Sequence, residues 1–534
     1  MPVARSSRVL RLLLLATALF TFLIQSGELG TSDTAHRLQV THSWWTNAPE
    51  VLAGDYPEFG VHGRGGRLYA SYGLGQSLLM LPADIVGSAI SRLPMWRNYV
   101  ASGASPQVPD ILVSITTNVL VNVLTALAAY HLLMLLGFSV RETVAGVVGL
   151  LCATTHLYYA QNLAENNYIL LLTITGFALQ YRWFVSGDRR ALFWGSAALG
   201  LNLLTRMTTA LDIFSAACFL LFAAVFVLHG TPTKSGESLP IGKRVRSYAQ
   251  TALPVYAFFF FLDRLYQFVR FGSWTNTYVA LMAREHRQMD PTLGVNFPFD
   301  GHWLQGGINS GLLGPLISPH KSILLFDPMF PLAVLLAVLV WKRLEPGVRA
   351  FFAASLVLLA TYIVFYGHYR WWAGDFSWGD RYVSSAVELI ALLALPILLR
   401  YWKLLRAPVR YLVIGVTAFS FVVQFASLAF WLPLEIYQTE DMGHPGWVVF
   451  LRFKNIAAFA LNRWNAPELK SLASYEDPWD AIHLTTWNFL PSLLRHVGQA
   501  PPWAVHVVYG VWIVVALVLI YVCMKMMREL RQLG

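Results

Sequence analysis

Long apolar segments recur along the chain, and polar connections separate them. Windows of about 18 or more mostly apolar residues are long enough to cross a bilayer core of about 30 Å as helices. The pattern therefore predicts an all-α polytopic membrane protein with about 12 transmembrane helices. The predicted spans are 9–26, 111–136, 143–160, 168–186, 191–205, 207–228, 248–268, 323–341, 349–367, 385–400, 411–433 and 504–525.

Lysines and arginines concentrate in alternate connections between these spans, which is typical of the cytoplasmic side of a membrane protein. This alternation places both termini in the cytoplasm and puts the connections around Arg141, Arg189 and Arg244 on the inner side. The long polar loops then all lie outside, and a protein with its irregular sequence on one face is expected to do its chemistry there. These outer loops are 27–110, 269–322, 368–384 and 434–503.

Two apolar segments near the N-terminus can each be interpreted in two ways. Residues 9–26 follow a basic start, as in a signal peptide, but Gly27-Glu28 follows them in place of a small-residue cleavage site, so we interpret them as a retained first helix. The apolar segment Tyr72 to Ile90 contains Pro82 and Asp84. If it crossed the membrane, the basic loops would face outward. The sequence therefore predicts an amphipathic helix lying in the outer interface.

Composition supports this picture and narrows the function. Of 534 residues, 56% are hydrophobic and 13% charged, and the mean hydropathy is +0.51, which argues for repeated membrane crossings rather than soluble domains. The net charge of +10 comes largely from bases at the ends of apolar segments, so nucleic-acid binding is not expected. All three cysteines fall within predicted spans, which predicts neither a disulfide framework nor a zinc cluster. No metal or nucleotide motif is present, and we predict no cofactor.

Two carboxylates on the predicted outer face are the first candidates for chemistry. Asp33 lies in Thr31-Ser-Asp-Thr34, shortly after the first span, and Glu165 lies in a tight outer connection between two spans. Asp33 alone fits a helix cap at least as well as a catalytic group. Together, however, two outer carboxylates are suited to deprotonate and hold a hydroxyl acceptor.

Basic and aromatic residues on the same face suit a phosphorylated sugar. An arginine or lysine aimed at a phosphate stabilises the charge that grows when a sugar–phosphate bond breaks. Contact with anionic lipid headgroups remains an alternative for the bases. For the aromatic side chains, interfacial anchoring remains an alternative to sugar stacking. The basic candidates are Arg67, Arg270, Lys321 and Arg381, and the sugar or acceptor candidates are His36, Tyr69, Tyr72, Trp371, Trp372 and Trp378.

Several motifs resemble the GT-C superfamily of integral membrane glycosyltransferases, within it the protein mannosyltransferase and lipid A aminoarabinose transferase type. Asp33 matches the family's acid in the first outer loop, and Glu165 matches a second acid in the next outer loop, as Glu in place of Asp. Tyr69 to Gly75 is similar in position to a Tyr/Pro-rich stretch but lacks its paired prolines. The stretches 270–273, 316–328 and 371–382 are similar to uncharacterised bacterial members.

The resemblance covers roughly residues 1–400, which it implies are a catalytic module, with 401–534 as additional C-terminal helices. It implies an inverting enzyme of the bacterial inner membrane, whose active site faces the periplasm and whose donor is a polyprenyl-phosphate sugar. Asp33 would be the general base, Glu165 its helper, and a cation among the four basic candidates would hold the donor phosphate. The acceptor would be a glycan, lipid or protein, although Thr34 after Asp33 makes protein O-mannosylation less expected.

A twelve-helix secondary transporter is the alternative from a different class. Such proteins carry charged residues and broken helices near the middle of the membrane. Arg182, Asp212, Asp263 and Arg264 fit that interpretation. The large one-sided loops and the lack of a visible half-repeat favour the enzyme.

Overall fold

The computed structural model describes residues 2–103, 105–163, 165–228, 241–374, 377–440, 442–461 and 486–533. These residues are mainly α-helical, with a small antiparallel hairpin formed by β1 (Gly60–His62) and β2 (Leu68–Ala70). The helices are α1 (Pro2–Ile24), α2 (Ser32–Ser43), α3 (Leu74–Ser91), α4 (Arg97–Ala101), α5 (Val108–Leu135), α6 (Val140–Ala153), α7 (His156–Asn162), α8 (Glu165–Ser186), α9 (Arg189–Leu203), α10 (Ala210–Leu228), α11 (Ile241–Phe271), α12 (Tyr278–Met289), α13 (Gly314–Ile317), α14 (Ile323–Phe326), α15 (Met329–Val340), α16 (Pro346–Tyr366), α17 (Ser384–Ala391), α18 (Ala394–Tyr401), α19 (Ala407–Ser427), α20 (Pro433–Glu440), α21 (Val448–Ala460), α22 (Leu490–Val497) and α23 (Pro502–Arg531).

Ten helices in the described part of the chain are long and apolar enough to cross a membrane, or 11 if α6 and α7, which meet at a bend of 59°, form one span. Helices occupy all of the predicted spans. The 11 differ from the predicted 12 because α9, with 15 residues, and α15, with 12, are too short to count, whereas α3 is counted although it is not a predicted span. The predicted continuous helix 323–341 is wrong in detail, since the chain breaks at Asp327-Pro328 between α14 and α15.

Helix α3 passes the same test of length and composition, but its contacts place it across one end of the bundle. Near its start, the amide of Gly75 donates to the carbonyl of Leu204, just after α9, at 2.9 Å. Near its end, Gly87 lies so close to Pro109 in α5 that an added Cβ would be 2.7 Å from the Pro109 Cα atom. Because the spans alternate in direction, α9 ends on the side where α5 begins. Both ends of α3 therefore lie near the same end of the bundle, and its interfacial position stays a prediction.

The packing core joins α5, α6, α8, α10 and α15–α18. Lipid tails are as apolar as leucine, so association of helices within a membrane depends on close packing, which small residues allow. Gly176 and Gly200 serve this purpose: an added Cβ would lie 2.4 Å from Leu199 and from Phe259, respectively. Helix α8 is held tightly against α9 in this way, and α9 against α11.

Gly30, in the connection between α1 and α2, brings two distant parts of the chain together. Its φ is +80°, and an added Cβ would lie 2.5 Å from the Cα and carbonyl oxygen of Asn162, at the end of α7. Glycine is therefore required both by the backbone conformation and by the close approach. The start of α2 is thereby fixed against the α7–α8 connection.

We expect Gly30→Ala to reduce the free energy of unfolding by about 1–3 kcal/mol more than Gly66→Ala, because overpacking adds to conformational strain. Gly66 is a matched control, since its φ is +69° but nothing lies within 4 Å of an added Cβ. Thermal unfolding of the detergent-solubilised variants measures the difference. Equal unfolding temperatures for the two variants would contradict the close approach at Gly30.

Candidate active site

Asp33 lies in the first turn of α2, but it is not the helix cap. Thr31 is the N-cap, and its side chain accepts a hydrogen bond from the Thr34 amide. The Asp33 carboxylate instead accepts hydrogen bonds from the Tyr72 hydroxyl at 2.8 Å and from Arg381 Nη1 at 2.6 Å. The side chain keeps 21% of its surface exposed. The carboxylate is therefore held in place while remaining accessible.

Arg37 lies one turn after Asp33 on the same face of α2. It is buried, and its guanidinium carbon lies 4.5 Å from the centre of the Tyr72 ring. Its Nη2 atom donates to Glu165 Oε2 at 2.6 Å. Arg37 and Tyr72 thus link the two predicted carboxylates.

Glu165 begins α8 and is only 3% exposed. Its Oε2 atom pairs with Arg37 and its Oε1 atom with Arg206. Both oxygens are therefore engaged by guanidinium groups. This placement differs from the expected contact with an acceptor hydroxyl, and it makes Glu165 a bridge between two arginines.

Arg206 lies between α9 and α10, with Glu165 on one side and aromatic side chains on the other. Its Nη1 atom donates to the Tyr366 hydroxyl at 3.3 Å, and its guanidinium carbon is 5.2 Å from the centre of the Tyr382 ring. The rings of Tyr366 and Tyr382 stack at 4.3 Å. These aromatic rings limit the positions that the Arg206 guanidinium can take.

Arg381 approaches Asp33 from the loop between α16 and α17. Asn166, which follows Glu165, donates from its amide to the Arg381 carbonyl and, at 2.7 Å, to Ser384 Oγ. Arg381 Nη2 donates to the Tyr382 hydroxyl at 3.3 Å. Its Nε atom is buried and has no hydrogen-bond partner among the described residues.

The electrostatics of this arginine–carboxylate cluster favour an anionic ligand. Burial would raise the pKa of Asp33, but the positive charges of Arg381 and Arg37 and the hydrogen bond from Tyr72 outweigh it and hold the pKa well below its usual range. Burial and the neighbouring Asp33 charge raise the pKa of Tyr72, so its hydroxyl remains a donor. The cluster combines three arginines, Arg37, Arg206 and Arg381, with two carboxylates, Asp33 and Glu165. Guanidinium groups are well suited to binding phosphate.

The other basic candidates lie apart from the contacts of Asp33. Arg67 is exposed in the connection between β1 and β2. Arg270 is buried, pairs with Glu50 at 3.0 Å and donates to the carbonyls of Ala70 and Tyr72. It therefore stabilises the conformation of the first outer loop. Lys321 donates to the Ser377 carbonyl at 2.7 Å and supports the loop that carries Arg381.

The aromatic candidates have diverse surroundings. His36 stacks on Phe59 with ring centres 3.9 Å apart, and Tyr69 contacts Phe271 edge to face. Trp371 packs edge to face against Phe297. The Trp372 ring covers Gly314, where an added Cβ would overlap it. Trp378 is 0% exposed and packs against Tyr158 and Phe326, so its ring faces protein.

A cavity of about 630 Å³ lies on the other face of α2, away from Asp33. It carries three acidic side chains, yet no group of His, Cys, Asp and Glu within the described ranges is arranged to hold a metal ion. One of the acids, Asp84, accepts hydrogen bonds from Trp45 and His42. The lining residues from α2 are Ser32, Ala35, Leu38, Gln39 and His42, and the acids are Glu28, Asp84 and Asp110.

The charged residues that fit a transporter have local partners. Arg182 pairs with Asp188 at 3.3 Å, and Arg264 pairs with the adjacent Asp263. Asp212 accepts hydrogen bonds from Thr173 at 3.1 Å and from Tyr362 at 2.7 Å. These contacts lie in different parts of the helical assembly and are not one charged cluster.

No family model and no curated protein matches this sequence. Among solved structures, the chain is similar to the oligosaccharyltransferase of Archaeoglobus fulgidus. Its apo form has 15% identity and a TM-score of 0.42, over 88% of this chain and 59% of that chain. The form tethered through a disulfide bond to an acceptor peptide with the NVT sequon has 14% identity and a TM-score of 0.40, over 89% and 59%. The chain thus spans less than two thirds of that enzyme's length.

Proposed function

We propose that this protein is a GT-C glycosyltransferase of the bacterial inner membrane. It transfers a sugar from a polyprenyl-phosphate donor to an acceptor hydroxyl at the extracytoplasmic face. One observation carries the proposal: an accessible ionised carboxylate, Asp33, is oriented by Tyr72 and lies against Arg381. A base beside a phosphate-binding cation is what displacement at a sugar–phosphate bond requires.

In the proposed reaction, an Asp33 carboxylate oxygen takes the proton of the acceptor hydroxyl. The acceptor oxygen attacks the anomeric carbon on the face opposite the phosphate. The bond between the anomeric carbon and the phosphate oxygen breaks, its electron pair leaves with polyprenyl phosphate, and the configuration inverts. The leaving phosphate gains negative charge, which Arg381 stabilises. Asp33 later returns its proton to solvent.

Arg381 links donor binding to the strength of the base. While it pairs with Asp33 at 2.6 Å, it keeps the pKa of that carboxyl low and the carboxylate a weak base. A donor phosphate competes for the same guanidinium. As Arg381 turns toward the phosphate, the pKa of Asp33 rises toward its ordinary value. The base is therefore strongest when the donor is bound.

Glu165 acts by positioning in this mechanism. With both oxygens paired to Arg37 and Arg206, it fixes two further positive charges of the cluster, of which Arg37 acts on Asp33. These charges attract the donor phosphate and limit where it can bind. Tyr72 fills the space between Asp33 and Arg37 and keeps the carboxylate oriented.

Arg381→Lys is expected to weaken donor binding by about 10-fold to 100-fold, because a hydrogen bond to a charged group contributes about 1.5–3 kcal/mol and lysine cannot reproduce the paired N–H donors of arginine. Binding of a radiolabelled polyprenyl-phosphate sugar to purified protein in detergent measures the change. Arg67→Lys is the control, since Arg67 is exposed in the hairpin connection.

The same assay tests the proposal as a whole through release of free polyprenyl phosphate and transfer of the labelled sugar. Unchanged donor affinity in Arg381→Lys would remove this residue from the site. If the wild-type protein moved an intact solute across sealed vesicles and never cleaved a donor, the transporter alternative would replace the enzyme.

A further inference from the structure

A second pair of acidic side chains lies buried among helices, in contact with neither Asp33 nor Glu165. Asp327, between α14 and α15, and Glu388, on α17, both contact the hydroxyl of Thr155, at the bend between α6 and α7. The two distances are 3.0 Å to Asp327 Oδ2 and 3.2 Å to Glu388 Oε1. All three side chains are almost wholly buried, Glu388 at 0% exposure.

These contacts need more hydrogens than the amide and hydroxyl of Thr155 supply. The Thr155 amide donates to Asp327 Oδ1 at 2.6 Å, which satisfies that oxygen. The Thr155 hydroxyl has one hydrogen to donate, and an ionised carboxylate can only accept. One hydroxyl hydrogen therefore cannot serve both Asp327 and Glu388 if both are ionised. A hydrogen on one carboxyl group completes the set of contacts.

No described residue forms an ion pair that would stabilise two ionised carboxylates here. Among the described residues, neither Asp327 nor Glu388 forms an ion pair, and Glu388 Oε2 is buried without a hydrogen-bond partner. The neighbouring His156 bonds to Asn122 Oδ1 at 2.9 Å, and the Tyr159 hydroxyl donates to the Trp378 carbonyl at 3.3 Å. A buried carboxyl without a counter-charge takes up a proton rather than remain ionised.

We infer that Glu388 is a neutral acid that donates its proton to Thr155 Oγ1, while Thr155 donates its own hydrogen to an ionised Asp327. Glu388 carries the proton because Asp327 already accepts two hydrogen bonds from Thr155, which stabilise its charge, whereas Glu388 has a single contact. The result is a chain of hydrogen bonds from Glu388 through Thr155 to Asp327.

This chain connects three places where helices break or begin. It joins the bend between α6 and α7, the break between α14 and α15, and α17, which begins three residues after Arg381. Gly379 packs here as well: an added Cβ would lie 3.1 Å from Phe326 and 3.4 Å from Thr155. Glu388, Thr155 and Asp327 are therefore positioning residues for the loop that carries Arg381. That consequence rests on the proposed function, but the protonation state does not.

Infrared difference spectroscopy of the purified protein at neutral pH tests the protonation state. The spectrum of wild-type protein minus that of Glu388→Gln should show a protonated-carboxyl band, and the band should shift in heavy water. Glutamine keeps the shape of glutamic acid and its amide donates to Thr155, so this variant should fold.

Asp327→Asn provides a second measurement that does not depend on the first variant. If Glu388 carries the proton, the Asp327→Asn variant keeps the protonated-carboxyl band. Loss of the band in this variant would assign the proton to Asp327 and overturn the inference. Absence of a Glu388-dependent band would also overturn it. So would stabilisation of wild-type protein, and not of Glu388→Gln, by sodium over potassium at equal ionic strength, since a bound cation would then take the place of the proton.

Discussion

Asp33→Asn protein is expected to fold and to bind donor, but to transfer sugar about 10²-fold to 10⁴-fold more slowly than wild-type protein, the usual contribution of a general base. Asparagine has the size of aspartate and can keep contacts with Tyr72 and Arg381, because its amide oxygen accepts from Arg381 and the Tyr72 hydroxyl can accept from its amide nitrogen. It cannot take up the acceptor proton. Sugar transfer, donor affinity and thermal unfolding should be measured on the same preparation.

Thr31→Ala is the matched control for Asp33→Asn, because Thr31 performs the capping role in the same turn. Removing a cap of this kind costs about 1 kcal/mol of stability. We therefore expect Thr31→Ala to unfold at a lower temperature while keeping most of its transfer rate, the reverse of the pattern for Asp33→Asn. Transfer at the wild-type rate by Asp33→Asn would place the chemistry elsewhere.

Glu165→Ala is expected to lower the free energy of unfolding by about 3–5 kcal/mol, since removing one member of a buried ion pair leaves its partners buried and unpaired. Here two guanidinium groups, of Arg37 and Arg206, lose their shared counter-charge. Glu165→Gln should lie between wild-type protein and Glu165→Ala, because the amide oxygen still accepts one hydrogen bond. Its loss of transfer should be smaller than that of Asp33→Asn. Chemical unfolding in detergent measures stability.

Two further variants test whether the loss of stability in Glu165→Ala comes from the unpaired arginines. Arg8→Ala removes a partly exposed pair with Glu529, which should cost no more than about 1 kcal/mol. Combining Glu165→Ala with Arg206→Leu removes one of the unpaired charges and should restore part of the stability. If Glu165→Ala unfolded like wild-type protein but had lost transfer, Glu165 would contact substrate rather than position the arginines.

Much of the fold follows from apolar segment length, since a membrane helix must satisfy its own backbone hydrogen bonds. The predicted interfacial position of α3 follows from the polar residues within it and from the charges of the later loops. The division of 323–341 at Asp327 does not follow from hydropathy, but the sequence carries a local signal for it, because Pro328 disfavours a helical conformation of the residue before it. Helix breaks stabilised by distant partners leave little trace in local hydropathy.

Only part of the candidate site could be predicted from the sequence. Asp33 and Arg381 are each recognisable as polar residues in outer loops, but nothing local shows that they pair. Arg37 carried a signal, its spacing of four residues from Asp33, which places both on one helix face. Arg206 carried none, because it lies in the short connection between two predicted spans and its role depends on Glu165.

The surroundings of the tryptophans in the Arg381 loop could not be predicted from the sequence either. Anchoring at the membrane surface, sugar stacking and core packing all favour an aromatic ring flanked by glycines. Trp378 is enclosed because Tyr158 and Phe326 happen to meet around it, and neither neighbour is close in sequence. Its burial is a property of the assembled helices.

The residues of the candidate site are synthesised at very different times. Asp33 and Arg381 are separated by 348 residues. At a synthesis rate of about 5–20 residues per second, Arg381 leaves the ribosome about 20–70 s after Asp33. Glu165 and Arg37 are synthesised before Arg206, and all three before Arg381. A nascent chain stalled before residue 381 would therefore lack the cation that pairs with Asp33.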